Sequence, residues 1–188
     1  MIQHLFPIPM YDSTINIDFK KLEKLSYEEK SNDPIGVTHS NNGYQTRDLV
    51  FKKYKFLFDE VSKHAEEYFA CFKLKTKLAY QNSWINISNK GHYNTLHGHP
   101  SSLISGVLYI KVPKDAGNIV FENPLWWIEY MLPMGQLREL NPYNSSECFS
   151  IPQKGQILMF PSWLRHYVKQ NNSHEDRISL SFNFGQTK

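Results

Sequence analysis

The hydrophobic pattern of this chain changes its period near residue 78, and that change constrains the fold most. Over residues 47–72, apolar side chains recur at helical spacing with charged residues between them, which predicts a helix there. From residue 78 onward, short apolar or alternating runs bounded by Gly, Pro and polar turns predict strands at residues 78–87, 103–112, 117–121, 155–160, 165–169 and 177–184. Helices followed by a series of short strands predict an α+β fold that is mainly β.

The rest of the N-terminal region adds a second helix and an extended lead-in. Residues 18–30 read as a short amphipathic helix, with Asp18 as N-cap and Leu22 and Leu25 on one face. Residues 2–19 contain Pro7 and Pro9, which suit an edge strand or an irregular segment. We therefore predict a single domain over 1–188, with an extended segment and helices in 1–77 and a double-sheet roll in 78–188. A long insert at 122–147 interrupts the roll.

Composition excludes several classes of protein. The chain has 188 residues, 40% of them hydrophobic, and a formal charge of +3 from scattered basic residues, which argues against nucleic-acid binding. No apolar run approaches the roughly 18 residues typical of a membrane span. Cys71 and Cys148 form no CxxC motif, and residues 1–7 lack the features of a signal peptide, so we expect a cytoplasmic location. The sequence leaves the oligomeric state open, and a homodimer is compatible with it.

Two histidines one residue apart form the first candidate site. In His97-Gly98-His99, an extended backbone would direct both imidazoles to one face. His166 follows 67 residues later, and in a rolled sheet the first and last strands lie side by side. Three imidazoles can hold Fe(II), Zn(II), Cu(II) or Ni(II), and the open coordination positions suit catalysis. For the pair alone, a polar loop with two surface histidines is the simpler explanation.

Arg177 opens a strand with one polar and one apolar face. Polar residues at 177, 179, 181 and 183 alternate with apolar residues at 178, 180 and 182. If the polar face lines a cavity, the Arg177 guanidinium can bind a carboxylate through two parallel hydrogen bonds, with Ser179 adding a third. The alternative is a solvated face on which Arg177 forms a surface ion pair with Glu175 or Asp176.

Taken in order, these motifs resemble the Fe(II)- and 2-oxoglutarate-dependent oxygenases. The resemblance rests on Trp84-Ile85-Asn86, Tyr93-Asn94-x-x-His97-x-His99-Pro100, Ser105-Gly106-Val107-Leu108-Tyr109, Phe160-Pro161-Ser162-Trp163-Leu164-x-His166 and Arg177-Ile178-Ser179-Leu180-Ser181-Phe182-Asn183. It covers residues 84–183 and is similar, more narrowly, to a small branch of that superfamily found in bacteria and their phages.

The resemblance implies a double-stranded β-helix, a jelly roll of cupin-like type, with the helices packed outside. It implies that His97, His99 and His166 bind the metal and that Arg177 pairs with the distal carboxylate of 2-oxoglutarate, with Ser179 nearby. Asn86, Asn94 and Asn183 become candidates for cavity contacts. The implied cofactors are Fe(II), the co-substrate 2-oxoglutarate and O₂. The implied reaction hydroxylates a peptidyl side chain, an amino acid or a small metabolite and releases succinate and CO₂.

His99 departs from the wider superfamily, in which the second ligand is usually Asp or Glu. Three-histidine iron sites also occur in cupin-type dioxygenases that do not use 2-oxoglutarate, so such an enzyme is an alternative. A non-enzymatic β-sandwich module that binds peptide or sugar through the aromatic insert is another. In the insert, Trp126, Trp127, Tyr130 and Met131 are expected either to shield the cavity or to pack as a hydrophobic flap.

Overall fold

In the described part of the chain, ten antiparallel strands in two sheets form the frame of the molecule. The computed structural model describes residues 2–37, 42–49, 53–125 and 127–187. Its strands are β1 Tyr11–Thr14, β2 Tyr44–Gln45, β3 Leu78–Ser88, β4 Asn94–His97, β5 Ile104–Lys111, β6 Ile119–Glu122, β7 Glu147–Ser150, β8 Gln156–Pro161, β9 His166–Val168 and β10 Arg177–Gln186. The large sheet has the order β1-β8-β5-β10-β3-β2, and the small sheet has the order β4-β9-β6-β7.

The two sheets form the expected double-stranded β-helix with helices on its outer side. β1 is an edge strand, and it pairs with β8. Because β1 and β2 both precede residue 78, the large sheet also draws on the N-terminal region. The hydrophobic pattern changes at residue 78, but the large sheet contains strands from both sides of that position.

Helix α1, Phe19–Asn32, confirms the shorter helix prediction. The Asp18 side chain accepts a hydrogen bond from the Lys21 backbone N–H at 3.0 Å, as an N-cap does. Leu22 is fully buried in the main core, and Phe19 and Leu25 pack against that core from its margin. The apolar stripe of α1 therefore covers the outer face of the large sheet.

Helix α2, Lys55–Phe69, continues as a 3₁₀ turn at Ala70–Phe72, so the prediction of a helix over 47–72 was wrong at its N-terminal end. Residues 46–49 instead run along β3, with the Thr46 N–H donating to Ile85 O and the Leu49 N–H to Ser83 O, both at 2.9 Å. The exposed edge of β3 offers backbone partners to this segment, and that pairing outweighs the helical spacing of Leu49. Residues 50–52 lie outside the described part of the chain.

Two apolar clusters hold the layers together. The larger cluster lies between the helices and the large sheet and includes Phe58, Ile85 and Leu180, all fully buried. The smaller lies between the two sheets and includes Tyr109 and Phe160. The space between the sheets is only partly filled by this second cluster, and the remainder is an open cavity.

The insert connects β6 to β7 and contains a short helix, Ile128–Met131, and a 3₁₀ turn, Met134–Gln136. Tyr130 and Met131 are 80% and 77% exposed, and neither lines the cavity between the sheets. Trp127 is also exposed and also lies away from the cavity, so these three side chains do not shield it. Trp126 lies outside the described residues.

Across the described residues, the helices are all too short or too polar to cross a lipid bilayer.

Candidate active site

A cavity of about 460 Å³ opens between the two sheets. The three histidines lie on the side formed by the small sheet, and Arg177 and Ser179 lie on the side formed by β10. Asn86 and Asn94 also line the cavity, from β3 and β4. The fold therefore brings almost all of the predicted site residues to one space.

The three imidazoles meet because β4 pairs with β9. His97 and His166 are register partners across this strand pair, which explains how residues so distant in sequence become neighbours. His99 follows β4 directly and is held by its backbone N–H, which donates to Ser162 O at 3.0 Å. One ligand atom from each of the three side chains lies within 4.8 Å of the other two. A single ion could contact all three.

Backbone carbonyls orient two of these rings. Nδ1 of His97 lies 2.7 Å from Thr95 O, and Nδ1 of His166 lies 3.0 Å from Leu164 O. Since a carbonyl oxygen can only accept, each Nδ1 carries the proton and donates it, which leaves the lone pair on Nε2. A backbone partner of this kind fixes the tautomer that a metal ligand needs.

Burial keeps two of the imidazoles neutral. Desolvation, followed by the nearby His97, lowers the pKa of His166 to about 3 and that of His99 to about 4. Both rings are therefore unprotonated at neutral pH, which is the form that coordinates a metal. The site requires no proton release from these two side chains when an ion enters.

Arg177 lies deep in the cavity wall, only 3% exposed. Its Nη1 donates to Ala116 O at 2.7 Å, and its Nη2 donates to Ser88 Oγ at 3.2 Å. Burial lowers the pKa of Arg177 below its ordinary value, an effect that nearby Tyr109 opposes, but a guanidinium stays charged in proteins.

The surface ion pair considered for Arg177 is contradicted by its burial. Glu175 instead lies 3.8 Å from Lys111, and Asp176 accepts a hydrogen bond from Tyr27 at 3.0 Å. Among the described residues, no carboxylate lies within ion-pair distance of Arg177. A buried cation without an acidic partner is costly unless an anion joins it, so the cavity is suited to an anionic ligand.

The remaining predicted contacts divide into two groups. Ser179 faces Asn86 across the β10–β3 pair, and the Asn86 Nδ2 donates to Ser181 Oγ at 3.0 Å. Asn183, by contrast, is buried and does not line the cavity. Its Nδ2 donates to Asn82 Oδ1 at 2.8 Å, so Asn183 orients Asn82, which does line the cavity.

Among the cavity side chains that sequence reasoning did not assign to the site, three have a bearing on its chemistry. Tyr109 is the register partner of Ser179 and lies near Arg177; burial raises its pKa to about 12, so it is a neutral phenol. Trp84 places its ring 5.9 Å from that of His99. Arg47 reaches the cavity from the edge segment beside β3. The alternation of side chains along β5 and β3 could have placed Tyr109 and Trp84 on the cavity face. No sequence pattern near Arg47 predicts that it reaches the cavity.

Comparison with known proteins agrees with this arrangement. A family model described as "Putative 2OG-Fe(II) oxygenase" matches residues 82–183, more than half of the chain. The comparison with curated proteins found no match.

Among solved structures, the chain is similar to the viral collagen prolyl hydroxylase of Paramecium Bursaria Chlorella virus-1 in complex with 2OG. That match has 15% identity and a TM-score of 0.63, and covers 93% of this chain and 94% of the other. A Pseudomonas putida prolyl-4-hydroxylase matches with 13% identity, a TM-score of 0.63 and coverage of 96% and 94%. HygX from Streptomyces hygroscopicus, with nickel and 2-oxoglutarate bound, matches with 11% identity, a TM-score of 0.63 and coverage of 96% and 83%. At these identities the likeness concerns the fold.

The fold and the family match together identify the protein class. The structure is a double-stranded β-helix with an open cavity between its sheets. The chain belongs to the family of Fe(II)- and 2-oxoglutarate-dependent oxygenases, and it is an enzyme that uses Fe(II), 2-oxoglutarate and O₂. This membership excludes the two alternatives, the keto-acid-independent dioxygenase and the non-enzymatic binding module.

Proposed function

We propose that His97, His99 and His166 are the three iron ligands and that Arg177 anchors 2-oxoglutarate. The observation that carries the proposal is the placement of two complementary groups in one cavity. Three imidazoles converge within 4.8 Å, and a buried guanidinium without an acidic partner among the described residues faces the same space. This arrangement fits 2-oxoglutarate, because a metal can bind its keto acid end and the Arg177 guanidinium can bind its far carboxylate.

The protein's own residues would position the two groups and form the wall around them. Arg177 would receive the distal carboxylate, with the Ser179 hydroxyl and the Tyr109 phenol as further donors beside it. The carbonyls of Thr95 and Leu164 hold the rings of His97 and His166 in the ligating tautomer. When bound, Fe(II) and 2-oxoglutarate supply the chemistry that activates O₂ and oxidises a substrate C–H bond, with release of succinate and CO₂.

We propose hydroxylation as the outcome, on a small molecule or a peptidyl side chain. Two structurally similar proteins are prolyl hydroxylases, which supports a peptidyl or prolyl group as one substrate class. A single catalytic domain in the cytoplasm, with no nucleic-acid or membrane partner, completes the proposal. Cys71 and Cys148 are both exposed and unpaired, which suits a reducing compartment.

The test is anaerobic binding of Fe(II) followed by 2-oxoglutarate, with the visible charge-transfer band of the complex as readout. We expect the band with the parent protein. In Arg177→Ala, we expect it only at 2-oxoglutarate concentrations at least about 30-fold higher, because truncating one partner of a buried charge pair costs about 2–5 kcal/mol. Glu175→Ala, two residues away on the surface, is the control. An unchanged 2-oxoglutarate requirement in Arg177→Ala would contradict the anchor.

A further inference from the structure

The mouth of the cavity carries a second arginine, which the proposed function does not use. Backbone hydrogen bonds at Thr46 and Leu49 fix the edge segment beside β3, and Arg47 lies between these two anchors. Because side chains alternate along an extended segment, Arg47 comes to the same face as Trp84. Arg47, Trp84 and Asn82 all line the cavity.

The Arg47 side chain is 69% exposed, and Asp33 binds one edge of its guanidinium. Its Nε donates to Asp33 Oδ2 at 2.9 Å, while Asp33 Oδ1 accepts the Gly36 N–H at 3.1 Å. The two terminal amino groups of Arg47 have no hydrogen-bond partner among the described residues. This end of a guanidinium presents parallel N–H donors, the arrangement that matches a carboxylate. The contact with Asp33 leaves this end of Arg47 directed to a ligand rather than to Asp33.

Asn82 presents a second donor to the same space. Its Oδ1 accepts from Asn183 Nδ2 at 2.8 Å, which leaves its own Nδ2 as the polar group for the cavity. Asn183 is itself oriented by Ser105, whose Oγ lies 2.7 Å from Asn183 Oδ1 and 2.8 Å from Ser162 Oγ. An amide oxygen can only accept, so Ser105 donates to Asn183. These buried hydrogen bonds keep Asn82 Oδ1 on Asn183 and leave Asn82 Nδ2 to donate to a ligand.

The one carboxylate among the cavity-lining residues is engaged elsewhere. Asp48 Oδ1 accepts from the Ser83 N–H at 2.8 Å and from Tyr80 Oη at 3.1 Å. Tyr80 packs on Phe58 of α2, with ring centroids 4.9 Å apart, so these partners lie on the helix side of the sheet. Asp48 is thus drawn away from the space that Arg47 and Asn82 share.

We propose that the substrate carries a carboxylate that Arg47 and Asn82 bind, with an apolar part lying against Trp84 beside His99. The Trp84 ring, 5.9 Å from that of His99, would hold the carbon to be oxidised close to the metal ligands. This inference rests on the proposed function, since it assigns the mouth of the cavity to the substrate and its far end to 2-oxoglutarate.

The experiment uses three probes of the same shape and different charge: phenylacetate, phenylacetamide and phenethylamine. Each is titrated by NMR into the full-length protein loaded with Zn(II) and saturating 2-oxoglutarate, a complex that cannot turn over because Zn(II) has no redox chemistry. We expect phenylacetate to bind at least about tenfold more tightly than the other two probes, since hydrogen bonds to a charged group are the stronger ones.

Two substitutions assign the preference to residues. Arg47→Gln and Asn82→Asp should each weaken phenylacetate binding by about tenfold and leave phenylacetamide binding nearly unchanged. Asn82→Asp keeps the oxygen that Asn183 requires, so the buried hydrogen-bond chain survives. Arg138→Gln, an exposed cation of the insert that does not line the cavity, is the control for the loss of one positive charge. Equal binding of the acid and the amide, tighter binding of the amine, or an unchanged preference in both variants would overturn the proposal.

A separate measurement distinguishes failure of this inference from failure of the proposed function. Binding of 2-oxoglutarate to the Zn(II) protein is measured first, by calorimetry. If it does not bind, the proposed function fails. The probe titrations are then repeated without 2-oxoglutarate in Arg177→Gln, where the deep anchor is removed. If Arg177→Gln still binds phenylacetate more tightly than phenylacetamide, and the double variant Arg47→Gln/Arg177→Gln does not, the inference is supported independently of the proposed function. If Arg177→Gln shows no such preference, the inference is overturned.

Discussion

At the scale of single residues, His99 is the side chain that most distinguishes this site. It stands where most members of the superfamily carry Asp or Glu, and burial keeps it neutral with a pKa of about 4. A neutral ligand leaves more positive charge on a bound metal than a carboxylate does. If His99 is a ligand, as proposed, the charge on the metal is therefore a property in which this site would differ from most of its superfamily.

Replacing His99 tests whether it is a ligand. We expect His99→Ala to lower Fe(II) affinity by more than about 100-fold, because even the loss of an outer-shell partner costs about 10–100-fold. Metal content after gel filtration and succinate release are the measurements, and the melting temperature reports the fold. His166→Ala should behave alike.

His174→Ala is the matched control, because His174 is exposed, contacts Lys90 and does not line the cavity. Succinate formed by His99→Ala at the parent rate would show that His99 is not required for metal binding.

At the scale of elements, the pairing of β4 with β9 brings His97 and His166 of the proposed metal site together, and β5 pairs with β10 in the cavity wall. Gly106 of β5 lies opposite Phe182 of β10. A Cβ at position 106 would come within 2.4 Å of the Phe182 ring and 2.8 Å of Leu158 O. The absence of a side chain therefore lets the Phe182 ring cover this part of β5.

We expect Gly106→Ala to destabilise the fold by about 1–3 kcal/mol, the usual cost of overpacking a tight core. The free energy of unfolding in urea is the measurement. Gly135→Ala is the control, since a Cβ there would meet nothing within 4 Å. If the two variants were equally stable, the close approach of Phe182 to β5 would be wrong.

At the scale of the whole molecule, the two sheets differ in how they are held. The large sheet packs against the helices through a core that includes fully buried Phe58, Ile85 and Leu180. The small sheet has strands of only three or four residues and a smaller apolar cluster. The three proposed ligands lie on β4, just after it and on β9, so a metal ion would link elements of the less well supported sheet.

Removing the metal should therefore loosen the small sheet more than the large one. Metal at about 100 times its dissociation constant stabilises the folded state by about 2.7 kcal/mol, so chelation should lower the melting temperature by several degrees. Hydrogen exchange at β4 and β9 should rise with chelator, while exchange at β5 and β10 should change little. Uniform acceleration in both sheets would contradict a local role for the ion.

Much of this architecture could be predicted from the sequence. The strand bounds follow from runs ended by Gly or Pro, as at residues 155–160, and Asp18 correctly marked the start of α1. The alternation in β10 correctly placed Arg177 and Ser179 on the cavity face. Asn183 shares that alternation, yet neighbouring side chains on β3 and β5 enclose it in hydrogen bonds, which no periodicity records.

The sequence by itself determined the mainly β fold, because the hydrophobic period is a local property of the chain, and it made the three histidines and Arg177 candidates for the site. Only the tertiary structure decided which backbone carbonyls orient the imidazoles and that the segment at 46–49 is an edge partner of β3. That pairing depends on atoms of a strand more than thirty residues away, and it brings Arg47 to the cavity. Among the described residues of the insert, Trp127, Tyr130 and Met131 are exposed and do not line the cavity, an outcome that composition could not have fixed.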